Sequence, residues 1–93
     1  MEEKIKTVAA RIAEINSGTK KLIEDNNVPS SIRNEFHLKS NQYDGMIEDL
    51  ETMRSFTDKQ ETLENLLNQE VEVLRVRIEW EKDILRRAMK YVK

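Results

Sequence analysis

The chain has 93 residues and a net charge of −2, is 37% charged and 38% hydrophobic, and contains two Gly, one Pro and no Cys. This length is typical of one small domain, and the composition is typical of helices and coiled coils. The lack of Cys excludes disulfides and thiolate metal sites, and we find neither a membrane-length apolar run nor a secretory signal, so we expect one cytoplasmic domain, residues 1–93, without membrane contact.

The first predicted helix covers about residues 2–26. Its apolar positions step by three and four residues, which is the narrow stripe of a coiled coil; they are Ile5, Val8, Ile12, Ile15, Thr19 and Leu22. Gly18 inside this segment costs about 1 kcal/mol relative to Ala in a helix. Because the stripe continues in phase through Gly18, we expect a continuous or kinked helix.

A turn is predicted at DNNVPSS, residues 25–31. Asn ends a helix well, Pro29 does not continue one, and Ser30 or Ser31 is suited to cap the next helix. The second predicted helix covers about residues 31–55. Its apolar side consists of Ile32, Phe36, Tyr43, Met46, Ile47, Leu50 and Met53.

Residues 55–60, SFTDKQ, are compatible with two architectures. Thr57 followed by Gln60 is a capping-box pattern, which favours a new helix start and hence an all-α three-helix bundle with coiled-coil-like packing. However, no Gly or Pro marks a turn, and a seven-residue spacing continues from Phe36 to Val92. The alternative is therefore a long helical hairpin that dimerises. Polar residues at three successive core layers of that long helix favour the turn.

The third predicted helix covers about residues 58–92 and contains VEVLRVRIEW, residues 71–80. The segment alternates like a strand, but both flanks are strong helix formers, and no breaker lies between Leu63 and Lys93. Two apolar stripes are expected on nearly opposite sides of this helix. The first consists of Leu67, Val71, Leu74, Ile78, Leu85 and Val92, and the second of Leu66, Val73, Val76, Trp80, Ile84 and Tyr91.

The second stripe is the predicted partner-binding surface. A helix that is apolar on two sides requires neighbours on both, and a monomeric bundle is expected to leave one side uncovered. The competing interpretation is that the first two helices enclose the third, so that Trp80 only covers the intramolecular core. The predicted partner-binding residues are Val73, Val76, Trp80, Ile84 and Tyr91.

The sequence contains no constellation typical of an enzyme. His37 is the only His and is expected to be a solvated surface residue, and the many Glu pairs are expected to form a solvated acidic face. A chain with one His, no Cys and no Gly-rich phosphate loop has no nucleophile with its base. We therefore expect no catalytic activity, no cofactor, no metal and no small-molecule ligand.

Charge is distributed unevenly, with a net −7 over residues 44–72 and +4 over residues 73–93. The basic C-terminal end offers possible phosphate contacts at Arg86, Arg87, Lys90 and Lys93. One hypothesis is a small nucleic-acid-associated regulator that uses this end, although the acidic chain as a whole argues against it. The favoured hypothesis is an adaptor or structural subunit whose partner is protein, either a second copy or a helix in a larger complex, with antiparallel pairing favoured by charge.

Overall fold

The computed structural model describes residues 2–92 and contains three α-helices. They are α1 (Glu2–Asp25), α2 (Ser30–Ser55) and α3 (Gln60–Met89). The helices pack against each other as a three-helix bundle with Cα extents of 51 × 20 × 16 Å. This arrangement confirms the predicted fold class and the predicted turn between residues 55 and 60. The hairpin with one long second helix is wrong.

The first turn is held by two polar side chains. Asn26 donates its side-chain amide to the carbonyl of Leu22 at 2.8 Å, which satisfies an acceptor at the end of α1. Arg33, from the first turns of α2, donates to the carbonyls of Val28 (2.9 Å) and Asn26 (3.1 Å). Neither predicted Ser cap is used, because the residue preceding α2 is Pro29 and no side chain caps its N-terminus. Arg33 therefore ties the end of α1 to the start of α2.

The second turn differs from the predicted capping box. Thr57 does not cap α3; its hydroxyl donates to the carbonyl of Met53 at 2.8 Å and so completes the end of α2. Lys59 occupies the N-cap position of α3 and makes no side-chain capping bond. A Thr hydroxyl bonds readily to the carbonyl four residues earlier, and here this local bond replaces the capping box.

Helix α3 is central to the packing. It contacts both other helices extensively, whereas α1 and α2 touch each other only sparsely. The aliphatic cluster contains α1 and α3 residues near the start of both helices, so α1 and α3 run in the same direction; its members are Ile5, Ile12, Leu67 and Leu74. The aromatic cluster lies at the other end of the bundle and contains Ile23, Val28, Ile32, Phe36, Trp80, Ile84 and Ala88.

Helix α1 is continuous through Gly18, as one of the two predicted outcomes requires. No glycine among the described residues has a positive φ, and a Cβ placed on Gly18 or Gly45 meets no atom within 4 Å. Neither glycine is required by backbone geometry or by packing. Both therefore weaken their helices without a compensating contact.

Candidate interaction surfaces

The two apolar stripes of α3 face its two neighbouring helices. At 100° per residue the stripes are about 130° apart, so the expectation that they lie nearly opposite is wrong. The first stripe supplies Leu67 and Leu74 to the aliphatic cluster with α1, and the second supplies Trp80 and Ile84 to the aromatic cluster with α2. The breadth of the apolar arc is thus explained largely within one copy of the chain, as the competing interpretation expected.

Trp80 and Ile84 are buried in the core, with 7% and 0% of their surfaces exposed. The Trp80 ring stacks on Phe36 with 5.9 Å between ring centroids, and it packs at an angle against Tyr43 at 5.5 Å. Its indole N–H donates to Glu35 at 3.3 Å. The prediction that these two side chains lie on an uncovered stripe is wrong, because α2 supplies the aromatic partners that cover them.

The other three residues of the predicted binding set remain accessible. Val73 is half-buried, while Val76 and Tyr91 are exposed. Val76 lies four residues before Trp80, on the same side of α3, but its side chain is 47% exposed. What remains accessible of the predicted set is therefore the neighbouring pair Val73 and Val76, three residues apart on α3, and Tyr91 beyond the end of the helix.

A continuous apolar groove lies between α1 and α3. It has a volume of about 380 Å³ and is lined mainly by apolar side chains, namely Ile5, Val8, Val71, Leu74 and Ile78. Val71 is 43% exposed, and Ile15, seven residues after Val8 on α1, is 37% exposed. Val71 and Ile78 are seven residues apart on the α3 wall, and by the same spacing Ile15 lies on the Val8 face of α1, beyond the residues that line the groove. We call this surface the α1–α3 groove.

The rim of the α1–α3 groove is basic. Lys4 and Arg75 border it directly. Arg11 and Lys82 follow these two residues by seven positions, which puts them on the same rims one step further along. Arg75 pairs with Glu72 at 2.6 Å and Lys82 with Glu79 at 3.7 Å, but all four of these side chains are more than half exposed. Exposed pairs of this kind contribute little and exchange readily.

Helix α2 carries exposed apolar residues on its outer surface. Met46 and Met53 are 48% and 53% exposed. Asp49 lies between them, three residues from one and four from the other, and therefore shares their face. We call Met46, Asp49 and Met53 the outer strip of α2. Leu38 and Phe56, also exposed, lie beyond its two ends. The apolar spacing of α2 predicted that both Met residues lie on its apolar side, and their exposure corrects that prediction.

Five polar side chains lie between the two apolar clusters, and three of them, Ser40, Arg77 and Glu81, are buried. Glu81 has 1% of its surface exposed and accepts a hydrogen bond from Asn16 at 2.9 Å. Asn16 also donates to Ser40 at 3.1 Å, so this contact joins all three helices. Arg77 pairs with Asp44 at 2.7 Å and lies 3.6 Å from Glu81. We call these five residues the polar layer. It was not predicted from the sequence, because charged residues are normally exposed.

The basic C-terminal end is occupied by internal ion pairs. Arg86 bonds to Asp83 at 2.6 Å, and Arg87 bonds to Glu35 of α2 and lies 3.1 Å from Asp83. The Arg87 hydrogen bond holds the pKa of Glu35 below its usual value, and the Arg86 hydrogen bond does the same for the pKa of Asp83. Lys90 is exposed, and Lys93 lies outside the described residues. Two of the four possible phosphate contacts are thus engaged within the chain.

His37 and the acidic residues are the remaining candidates named from the sequence. His37 is exposed, and its ring packs edge-on against Phe36 at 5.6 Å. Within residues 2–92, no three His, Cys, Asp or Glu side chains are grouped so that they could hold a metal ion. None of the described helices is long and apolar enough to cross a membrane. Comparisons with family models, with curated proteins and with solved structures give no match for this chain.

Proposed function

We propose that this protein is a non-enzymatic interaction module, an adaptor or structural subunit that binds an amphipathic helix of a protein partner in the α1–α3 groove. The observation that carries the proposal is the apolar groove between two parallel helices, whose α3 wall presents Val71 and Ile78 seven residues apart. A helix that enters such a groove extends the bundle to four helices, with coiled-coil-like packing of its side chains.

The groove replaces the second stripe of α3 as the proposed contact surface. Trp80 and Ile84 already have partners in the aromatic cluster. Val71 and Ile78, in contrast, border the groove, and Val71 remains 43% exposed. Exposed apolar residues that line a concave surface are typical of protein contact sites. The apolar anchor positions of the proposed site are therefore Val8, Ile15, Val71 and Ile78.

The test uses a displayed library of amphipathic helical peptides, selected on immobilised protein and then measured by calorimetry. Val71→Glu is compared with Val76→Glu, a matched control in the same helix with 47% exposure on the other side. We expect selected helices to lose about tenfold or more in affinity for the Val71 variant, equivalent to about 1.4 kcal/mol, and little for the control. Enrichment of no helix, or equal losses for both variants, would contradict the proposal.

A further inference from the structure

We infer that the helix bound in the α1–α3 groove is α2 of a second copy of this chain, so that the protein assembles with itself. This inference rests on the proposed function, because it names the occupant of the same groove. The contact joins two different surfaces, the groove of one copy and the outer strip of α2 of another. Such a contact is heterologous, and its repetition builds either a closed ring or an open chain.

The apolar spacing of the two surfaces matches. Met46 and Met53 are seven residues apart on α2, as are Val71 and Ile78 on one wall of the groove. Seven helical residues span about 10 Å, so both methionines reach the groove within one repeat of its walls. Met side chains are flexible and fill irregular apolar gaps, which suits a groove whose walls come from two helices.

The charges of the two surfaces also match. Asp49 lies midway between the two methionines of the outer strip. Arg11 lies midway between Val8 and Ile15, and Arg75 lies midway between Val71 and Ile78 on the opposite wall. When both methionines lie in the groove, the Asp49 carboxylate is therefore at the same height along the bundle as the guanidinium groups of Arg11 and Arg75. Complementary charge of this kind fixes which surfaces meet and in which position.

Contacts between identical surfaces lack this complementarity. A groove facing a groove would oppose the basic rims of two copies, which include Lys4, Arg11, Arg75 and Lys82. An outer strip facing an outer strip would bring the Asp49 carboxylates of two copies together, because Asp49 shares the face of Met46 and Met53. Like charges in direct opposition disfavour both arrangements, and only the mixed contact pairs opposite charges.

The experiment uses two variants that each retain one intact surface, Val71→Glu in the groove and Met46→Lys/Met53→Lys in the outer strip. Sedimentation equilibrium is run from low micromolar to about 1 mM, the range in which a small contact becomes populated. We expect the mass of the wild-type protein to rise with concentration above 11.0 kDa, and each variant alone to keep the monomer mass. An equimolar mixture of the variants should form a one-to-one dimer, because each supplies the surface that the other lacks.

The matched control is Leu38→Lys, an equally drastic change at an exposed residue of α2 that lies outside the outer strip. It should associate like the wild type. Circular dichroism verifies that each variant is folded, and Ile15→Glu replaces Val71→Glu if the latter unfolds. A wild-type protein that stays monomeric, a mixture that stays monomeric, or a strip variant that associates like the wild type would each overturn the inference.

Failure of the inference is distinguishable from failure of the proposed function. Binding of displayed helices is measured on immobilised single copies and does not depend on self-association. If the wild-type protein is monomeric while selected helices still bind it and lose affinity for the Val71→Glu variant, only the second copy is rejected as occupant. If no helix binds, the groove itself is rejected as a docking surface.

Discussion

The two ends of the bundle bury their apolar side chains in different ways. At the aromatic end, Phe36 and Trp80 stack beneath a turn that Arg33 holds in place, and the cluster draws on all three helices. At the aliphatic end, the cluster consists of four smaller residues from α1 and α3, and the groove opens beside it. The aromatic end thus buries its apolar side chains more completely, and the aliphatic end leaves apolar surface exposed in the groove.

The largest expected effect comes from truncating one side chain at each end. Phe36→Ala should lower the free energy of unfolding by about 3–5 kcal/mol, because it removes a fully buried ring. Leu67→Ala should cost about 2–3 kcal/mol, since the open groove lets the aliphatic end relax around the cavity. Denaturant unfolding of both variants measures the difference. An equal or larger loss for Leu67→Ala would remove the proposed distinction between the ends.

Substitutions in the polar layer, between the two ends of the bundle, have the next largest expected effect on the free energy of unfolding. Glu81→Ala should lower the free energy of unfolding by about 3 kcal/mol, because it leaves Arg77 buried with only Asp44 as its ion-pair partner. The double variant Arg77→Met/Glu81→Leu should be less destabilised than Glu81→Ala, because it removes both buried charges together. Glu79→Gln, on the exposed side of α3, is the control. A double variant less stable than the single one would show that the layer itself stabilises the fold.

Lowering the pH is expected to have a smaller effect on stability, through Glu35 at the aromatic end. The pKa of Glu35 is lower in the folded chain than its ordinary value of 4.5, mainly because Arg87 donates a hydrogen bond to it. Its stabilising contribution is therefore present above about pH 4.5 and is lost as the pH falls through the folded pKa. Glu35→Gln should cost about 1 kcal/mol or less at pH 7, because both partners are about one-third exposed.

Urea unfolding at pH 7 and pH 3 tests this contribution. The wild-type protein should lose more stability between these two values than Glu35→Gln does. Glu48→Gln, at an exposed carboxylate of the same helix, should retain the wild-type pH dependence. Parallel pH profiles for the wild type and Glu35→Gln would contradict the assignment.

The smallest expected effect is a gain in stability, from a substitution in the middle of the bundle. Gly18 lies two residues after Asn16 of the polar layer, in a helical conformation with free space around its α-carbon. Gly18→Ala should raise the free energy of unfolding by about 0.5–1 kcal/mol. Hydrogen exchange along α1 should slow most near the substitution. A loss of stability would indicate a steric contact that the geometry does not show.

The helices and their apolar sides could be predicted from sequence, because the spacing of Ile5, Ile12, Leu67 and Leu74 depends only on helix geometry. The direction in which each apolar stripe faces could not be predicted. The outward orientation of Met46 and Met53 depends on how α2 is rotated against α3, which no local pattern determines. The polar layer could not be predicted either, because Asn16 and Glu81 are 65 residues apart in the sequence and neither residue is unusual by itself in a helix.

The central position of α3 has a consequence for synthesis. Since α1 and α2 touch each other only sparsely, the first two helices have little to fold against while they leave the ribosome. Of the three helices, α3 emerges after the other two, and its 30 residues supply both missing faces. The bundle therefore acquires its tertiary structure only after α3 has been synthesised, and until then its apolar surfaces are exposed to chaperones.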